Sequence, residues 1–323
     1  MNTELEDLRD AVRGLLSHGG DWKRLCAEIG VAGLALPERY GGAGAGAVET
    51  GIVMSELGRE LTPAPMLGSA VLAAQVLLAS GDDAACARLL PGIADGSVVA
   101  ALAWTGPDGR WDPAAPAFTG DGALTGEAHY VIDGASAGVL LVAADTGLYE
   151  VDPAAAGVSV RAVPAMDEAR ELAVVRLDAA AGRRIDGDGA AALATARDQG
   201  YIALAAEQTG AAERALEITV GYAKTRVQFG RPIGSFQALQ HRMADMYVSV
   251  ESARSLWMAA AREPGQAMAA AAMAYCSRAL RSVAAEMIQM HGAIGVTWEH
   301  PAHRYLKRAH GAGMLLGTPP GSR

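Results

Sequence analysis

The sequence predicts an α+β multidomain chain, with an N-terminal α-helical domain over residues 1–97, a middle β-barrel-like domain over 98–185 and a C-terminal helical bundle over 186–323. Three observations carry this expectation. Up to residue 97, apolar residues recur at steps of three and four, the spacing that puts them on one face of a helix. From Val98 the texture changes to short β-rich runs divided by Gly, Pro and Asp. Beyond about Ala190 the helical spacing returns, now rich in alanine, a strong helix former whose small side chain lets helices approach closely.

With 323 residues, 51% of them hydrophobic and 5% aromatic, the chain is long enough for two or three substructures and a sizeable core. A formal net charge of −9 argues against a general nucleic-acid surface. Cys26, Cys86 and Cys276 are odd in number, far apart and form no CxxC pair, so no disulfide framework is expected and a reducing cytoplasm is the expected location. The acidic, amphipathic N-terminus is unlike a signal peptide, and the apolar runs are too short or too broken to span a bilayer.

Residues 3–17 form the first expected helix, with Leu5, Leu8, Val12 and Leu15/Leu16 as its stripe. Trp22–Ile29 is a second, ended by Gly30. The glycine cluster that follows Leu34 has the look of a dinucleotide fingerprint, but a fingerprint needs a strand before it and a βαβ unit around it, and neither is evident. Helices are expected over 48–60 and 67–80, with Pro63 and Pro65 between them, and over Asp83–Leu90, stopped by Pro91-Gly92. In the middle, VVAALAW, ALTGEAHYVIDG, GVLLVAAD, GLYEV, VSVRAV and ELAVVRLD read as strands, with hairpin turns at GDGAL and DTGL. Arg197–Lys224, 236–262, Gln266–Met290 and Pro301–His310 are the expected C-terminal helices.

The stretch Tyr222–Arg254 organises this last part. Phe236, Leu239, Gln240, Met243, Met246, Tyr247, Val250 and Ala253 form one mostly apolar stripe, and Arg242/Asp245 and Glu251/Arg254 are spaced to pair on the wet side. The loop Arg226-Val-Gln-Phe-Gly-Arg-Pro-Ile-Gly before it combines cations, an aromatic ring, two glycines and a proline, a setting suited to a negatively charged planar ligand. On residue type alone, Arg226 would be a surface arginine and Phe229 a core phenylalanine. His300-Pro-Ala-His303 has HxxH spacing, but a proline sits inside it and no acidic or cysteine cluster accompanies it, so no metal site is expected. His291 is expected to serve local packing, and Arg304-Tyr-Leu-Lys-Arg to complement a helix dipole.

The run R-x-x-F-G-R-P-I-x-x-x-Q from Arg226 to Gln237 resembles the signature of the acyl-CoA dehydrogenases. Gln289-Met-His-Gly-Ala-Ile-Gly resembles that family's Q-x-x-G-G-x-G, with Thr297-Trp-Glu-His-Pro following, and the order of helical, β-rich and helical parts agrees. The resemblance implies that Arg226, Phe229, Gln237, Gln289 and Gly292 contact the ADP half of FAD, largely that of the neighbouring subunit. A guanidinium can clamp diphosphate oxygens as a fork, and a glycine lets the backbone come close. The family's second glycine is Ala293 here.

The resemblance also implies a flavin ring held by the β domain. The family's T-E-P-G-A-G-S-D becomes Thr105-Gly-Pro-Asp-Gly-Arg-Trp-Asp, which keeps Thr105, Pro107 and Asp112 but has Gly106 for the acid and Trp111 for the serine. A W-I-T-N-G-like segment corresponds to Val131-Ile-Asp-Gly, without the ring-packing tryptophan or the hydroxyl, and Tyr130–Gly134 reads as an ordinary strand and turn.

Family chemistry is α,β-dehydrogenation of an acyl-CoA thioester, in which a glutamate takes the α proton as hydride leaves the β carbon for the flavin. The two family positions for that base fall on Leu316 and Gly200, and neither is acidic. Glu207 lies on the same helical face as Gly200, about 10 Å further along the axis, and is expected to partner a cation. The resemblance therefore implies a base-lacking supporting subunit that completes a partner's FAD site in a hetero-oligomer. Such mixed tetramers resemble those that actinobacteria use on bulky CoA thioesters such as steroid side chains. The alternatives are a self-sufficient homodimer or homotetramer with an unconventional base, and a flavin-free enzyme or scaffold.

Overall fold

The computed structural model describes residues 3–317. Helices α1 (Thr3–Ser17), α2 (Trp22–Ile29), α3 (Ala47–Glu60), α4 (Ala74–Ser80) and α5 (Asp83–Ala94) come first. Asp21 and Asp82 cap α2 and α5 by accepting from Arg24 N–H and Ala85 N–H. The glycine-rich run after Leu34 is the loop between α2 and α3.

Two local expectations fail here. Helix α5 does not stop at Pro91 but runs on to Ala94. A proline withholds only its own N–H, and the next turn closes because Asp95 N–H reaches the Pro91 carbonyl at 3.2 Å. The segment expected as plain helix from 67 is π-helical over Met66–Ala73. There Gly68 N–H is drawn to the Asp133 carboxylate at 3.0 Å, and Ser69 Oγ accepts Ala100 N–H at 3.0 Å. Contacts with the sheet, invisible in helical periodicity, set the wider register.

Strands β1 (Ala100–Ala103), β2 (Phe118–Thr119), β3 (Ala123–Ile132), β4 (Val139–Ala144), β5 (Gly147–Val151), β6 (Val158–Val163), β7 (Leu172–Ala181) and β8 (Arg183–Ile185) form a curled half-barrel. Its order is β6-β7-β3-β2-β4-β5-β8, with β1 parallel to β4. Both expected hairpins are present, β2–β3 around Gly120–Gly122 and β4–β5 around Asp145-Thr146. Strand β4 is apolar throughout because both of its faces are covered. Leu140 and Val142 join Phe118, Tyr149 and Val175 in the core of the sheet, whereas Leu141 and Ala143 join the helical core.

The C-terminal part comprises α6 (Gly189–Thr225), the small hairpin β9 (Val227–Gln228) and β10 (Arg231–Pro232), α7 (Gln237–Arg262), α8 (Gln266–His291) and α9 (Ala302–Ala312). Helix α6 begins before the expected Arg197, because the Asp188 carboxylate caps it through Ala191 N–H and the alanines that follow favour helix. It packs on α3 at Gly210, where any side chain would overlap the Ser55 carbonyl. On α7, Met246, Val250 and Ala253 are buried as expected, but Tyr247 is exposed. Arg254 pairs with Glu251 at 3.2 Å, whereas Arg242 reaches Glu286 of α8 at 2.5 Å instead of Asp245, because α8 lies alongside. No helix among the described residues is long and apolar enough to cross a membrane.

Asp133 has a left-handed backbone (φ 57°), and its buried carboxyl sits between the sheet and the π-helical turn. Burial pushes its pKa up to about 7, against the pull of Arg170 and the Gly68 N–H. The folded chain therefore keeps a proton that the unfolded chain releases near 3.8, so this group costs stability as pH rises from 3.8 towards 7, and the cost is complete above 7. Asp133→Asn keeps an acceptor for Gly68 and removes the charge. Its stability relative to the native chain is expected to grow between pH 5 and 8, at most by about 1.4 kcal/mol per pH unit, as read from urea midpoints. A gap that stays constant over that range contradicts titration of Asp133.

Candidate functional site

Helix α6 ends where Arg226 N–H bonds the Tyr222 carbonyl at 2.8 Å, and Ile233 N–H closes the following loop on the Arg226 carbonyl at 2.8 Å. At its tip Phe229 (φ 53°) and Gly230 (φ 76°) are both left-handed, the pattern of a two-residue hairpin turn. Phe229 is not a core residue: 92% of its surface is open, and its ring meets the edge of Phe236 at 6.1 Å between centroids. Arg231 stacks over Phe236 at 4.0 Å, while exposed Arg226 makes no ion pair among the described residues. The loop thus leaves the Arg226 guanidinium without an ion pair among the described residues and the Phe229 ring bare at the surface.

Gln289 and Gly292 lie at the end of α8, both exposed, and Gln237 is exposed at the first turn of α7. Gly292 adopts φ 64° and ψ −143°, with open space where a side chain would stand. The stem of the Arg226 loop is fastened to this turn by a ring stack. Tyr222 lies on His291 at 4.3 Å, and His291 on His300 at 4.2 Å. His291 Nδ1 is 2.7 Å from the Met287 carbonyl. Burial lowers the pKa of His291 and His300, which favours neutral rings. His303 faces Trp298 instead, and among the described residues no group of three or more His, Cys, Asp or Glu could hold a metal ion.

Gly200 and Leu316, far apart in sequence, meet. Tyr201 donates its hydroxyl to the Leu316 carbonyl at 3.0 Å. A Cβ added to Gly200 would come within 2.6 Å of Leu316 Cδ1 and 2.7 Å of Leu72 Cδ2. Leu72 belongs to the π-helical turn, and sequence reasoning misses it because nothing in an apolar run indicates which leucine turns inward there.

Glu207 is spent on structure. Its oxygens receive Arg170 Nη2 at 2.5 and 2.6 Å and Arg308 Nη1 at 2.5 Å, and Arg308 Nε donates to Asp167. The expected cation partner of Glu207 is therefore present twice. The basic run Arg304–Arg308 is more than a dipole complement, because Arg308 is buried with a side chain 1% exposed. Its partners lie more than a hundred residues away, so a local reading leaves it on the surface.

Thr105 follows β1. It is buried, its carbonyl accepts His129 N–H at 2.8 Å, and its hydroxyl has no partner among the described residues. The next residues, Asp108, Gly109 and Trp111, join Tyr130, Met166 and Met314 around a largely apolar cavity of about 440 Å³. Thr105 thus lies on the sheet side, held against β3 at His129.

Residues 3–97 match the model of the acyl-CoA dehydrogenase N-terminal domain, and residues 187–319 that of the acyl-CoA dehydrogenase C-terminal domain. The chain belongs to the acyl-CoA dehydrogenase family. It is 41% identical over 298 residues to acyl-CoA dehydrogenase IpdE2 of Mycobacterium tuberculosis, covering 92% of this chain and 82% of that protein. The structure of the ChsE4-ChsE5 complex from Mycobacterium tuberculosis matches with a TM-score of 0.88 and 28% identity, over 100% of this chain and 95% of that one. A variant of the Tcur3481-Tcur3483 steroid acyl-CoA dehydrogenase matches with a TM-score of 0.86 and 30% identity, over 99% and 95%.

Proposed function

We propose that the chain is the supporting subunit of a heteromeric acyl-CoA dehydrogenase. It lends Arg226, Phe229, Gln237, Gln289 and Gly292 to the ADP half of an FAD shared with a homologous companion, and the companion supplies the base. The observation that carries this reading is that the two positions the resemblance gives to the base hold Leu316 and Gly200, with Leu72 and Leu316 closing over Gly200, in a chain whose Arg226 loop faces outward. Two of the similar structures are named as pairs of chains, and one of them as a steroid enzyme, which supports a bulky CoA thioester as substrate.

The donor set suits the ADP half. A free guanidinium, exposed amides, a bare ring and a glycine with open space are what an anionic diphosphate and a flat base require. With FAD bound, Arg226 would donate to diphosphate oxygens, Phe229 would pack on the adenine, and Gly292 would let the backbone come close. The ring side of the same chain fits less well. Asp133 stands in the segment that corresponds to the family's hydroxyl and is committed to Gly68, and among the described residues the atoms nearest the space beside Gly200 are those of Leu72 and Leu316, not a carboxylate. When bound, FAD supplies the hydride acceptor.

One observation favours a second reading, a self-sufficient homo-oligomer. The unpartnered Thr105 hydroxyl and the cavity beside Trp111 and Tyr130 are features that a flavin ring held by this chain itself would use.

In the assembled complex, Arg226→Ala is expected to weaken FAD retention by about 1.5–3 kcal/mol, the range for a charged hydrogen bond, with the fold unchanged. Flavin absorbance after dilution and gel filtration measures this. Unchanged occupancy makes Arg226 a plain surface arginine.

A further inference from the structure

A second cavity, of about 200 Å³, lies where α3, the π-helical turn and α6 meet. At about 100° per residue round α6, Gln199 and Ala203 fall on one side of Gly200, and Arg197 and Tyr201 on the other. The leucines over Gly200 therefore stand as a partition between this cavity and the one lined by Arg197, Tyr201 and Leu316.

The lining is mixed: Ala70 and Val71 of the π-helical turn and Ile202 and Ala203 of α6 supply apolar surface, and polar atoms line nearly as much of it. Among the described residues, none that lines the cavity is charged. Its polar side chains are Thr50, whose hydroxyl donates to the Gly46 carbonyl at 3.2 Å, and the amides of Gln75 and Gln199. Neither amide makes a hydrogen bond among the described residues. Two amides without hydrogen-bond partners among the described residues, one from α4 and one from α6, thus line one half-apolar space.

We propose that this cavity binds a compact neutral ring bearing one carbonyl or hydroxyl oxygen, held by Gln75 and Gln199. A cavity of about 150 Å³ holds benzene, so in volume this one accommodates a six-membered ring with a substituent, and its mixed lining suits a ring that carries an oxygen. The absence of charged wall residues selects a neutral ligand. Each amide carries two N–H donors and an acceptor oxygen, so ketone and alcohol are both served, and a bare hydrocarbon leaves the amides unused. The ring arrives either as the far end of an acyl thioester or as a free molecule. The site does not depend on which subunit supplies the base.

The test titrates the intact chain with 4-methylcyclohexanone and with methylcyclohexane, followed by ligand-observed NMR. The ketone is expected to bind saturably and about tenfold more tightly than the hydrocarbon. Gln75→Met and Gln199→Met keep the side-chain length and the absence of charge but remove the amide. Each is expected to erase most of that preference while hydrocarbon binding and the circular dichroism spectrum stay unchanged. Competition by a CoA thioester carrying the same oxo ring assigns the ligand to an acyl group, whereas ketone binding that the thioester leaves untouched assigns it to a free molecule. Non-saturable uptake, equal binding of ketone and hydrocarbon, or indifference to both glutamine substitutions overturns the proposal.

Discussion

Purified alone, the chain is expected not to dehydrogenate acyl-CoA thioesters: the missing base by itself costs about 10²–10⁴-fold in rate, and without a companion no flavin is retained to accept the hydride. The α proton of a thioester is too weakly acidic to leave unaided. Glu207 cannot stand in for the missing group, because Arg170 and Arg308 occupy both of its oxygens. Gly200→Glu does not restore activity on this account, since Leu72 and Leu316 hold the space its side chain would enter. Leu316→Glu would place a carboxylate at a position 1% exposed among leucines. In the complex, Glu207→Gln should leave turnover per bound flavin nearly unchanged, whereas replacing the companion's glutamate should abolish it. Turnover by the isolated chain that Glu207→Gln stops would contradict this assignment.

The second large effect is on stability. Arg308→Met is expected to destabilise the chain by about 3–5 kcal/mol, the usual cost of breaking a buried ion pair from one side. Its guanidinium joins Asp167 and Glu207, with Arg170 completing an alternating row that ties α9 to α6 and to the segment before β7. Removing Arg308 leaves Asp167 buried without that cation. The companion change Asp167→Asn should therefore recover part of the loss, a coupling that urea denaturation of the two single variants and the double variant measures. A loss below about 1 kcal/mol would place the row in contact with water rather than in the core.

The order of helices, half-barrel and bundle is legible because it rests on periodicity, which amphipathic helices and buried strands cannot avoid displaying. The Arg226 loop is legible for a similar reason: cations, glycines and an aromatic ring in one short run have local meaning. What escapes is long-range. The π-helical register at Met66–Ala73 depends on Asp133 across the interface, and Leu72 acquires its place over Gly200 only through that register. Arg308 reads as a surface cation until Asp167 and Glu207 are brought to it by the fold. Phe229 is misread on residue type for the converse reason: an aromatic ring left bare at a hairpin tip makes sense only when the partner or ligand that covers it is counted.

The most direct test of the supporting-subunit reading is the flavin-to-protein ratio of the chain expressed alone and expressed together with a homologous chain that carries the glutamate. The account predicts a colourless protein alone and a flavin-containing complex on co-expression, with the flavin lost from the complex when Arg226 is replaced by alanine. A chain that purifies yellow by itself, and whose flavin is bleached by a CoA thioester without any companion, would contradict it.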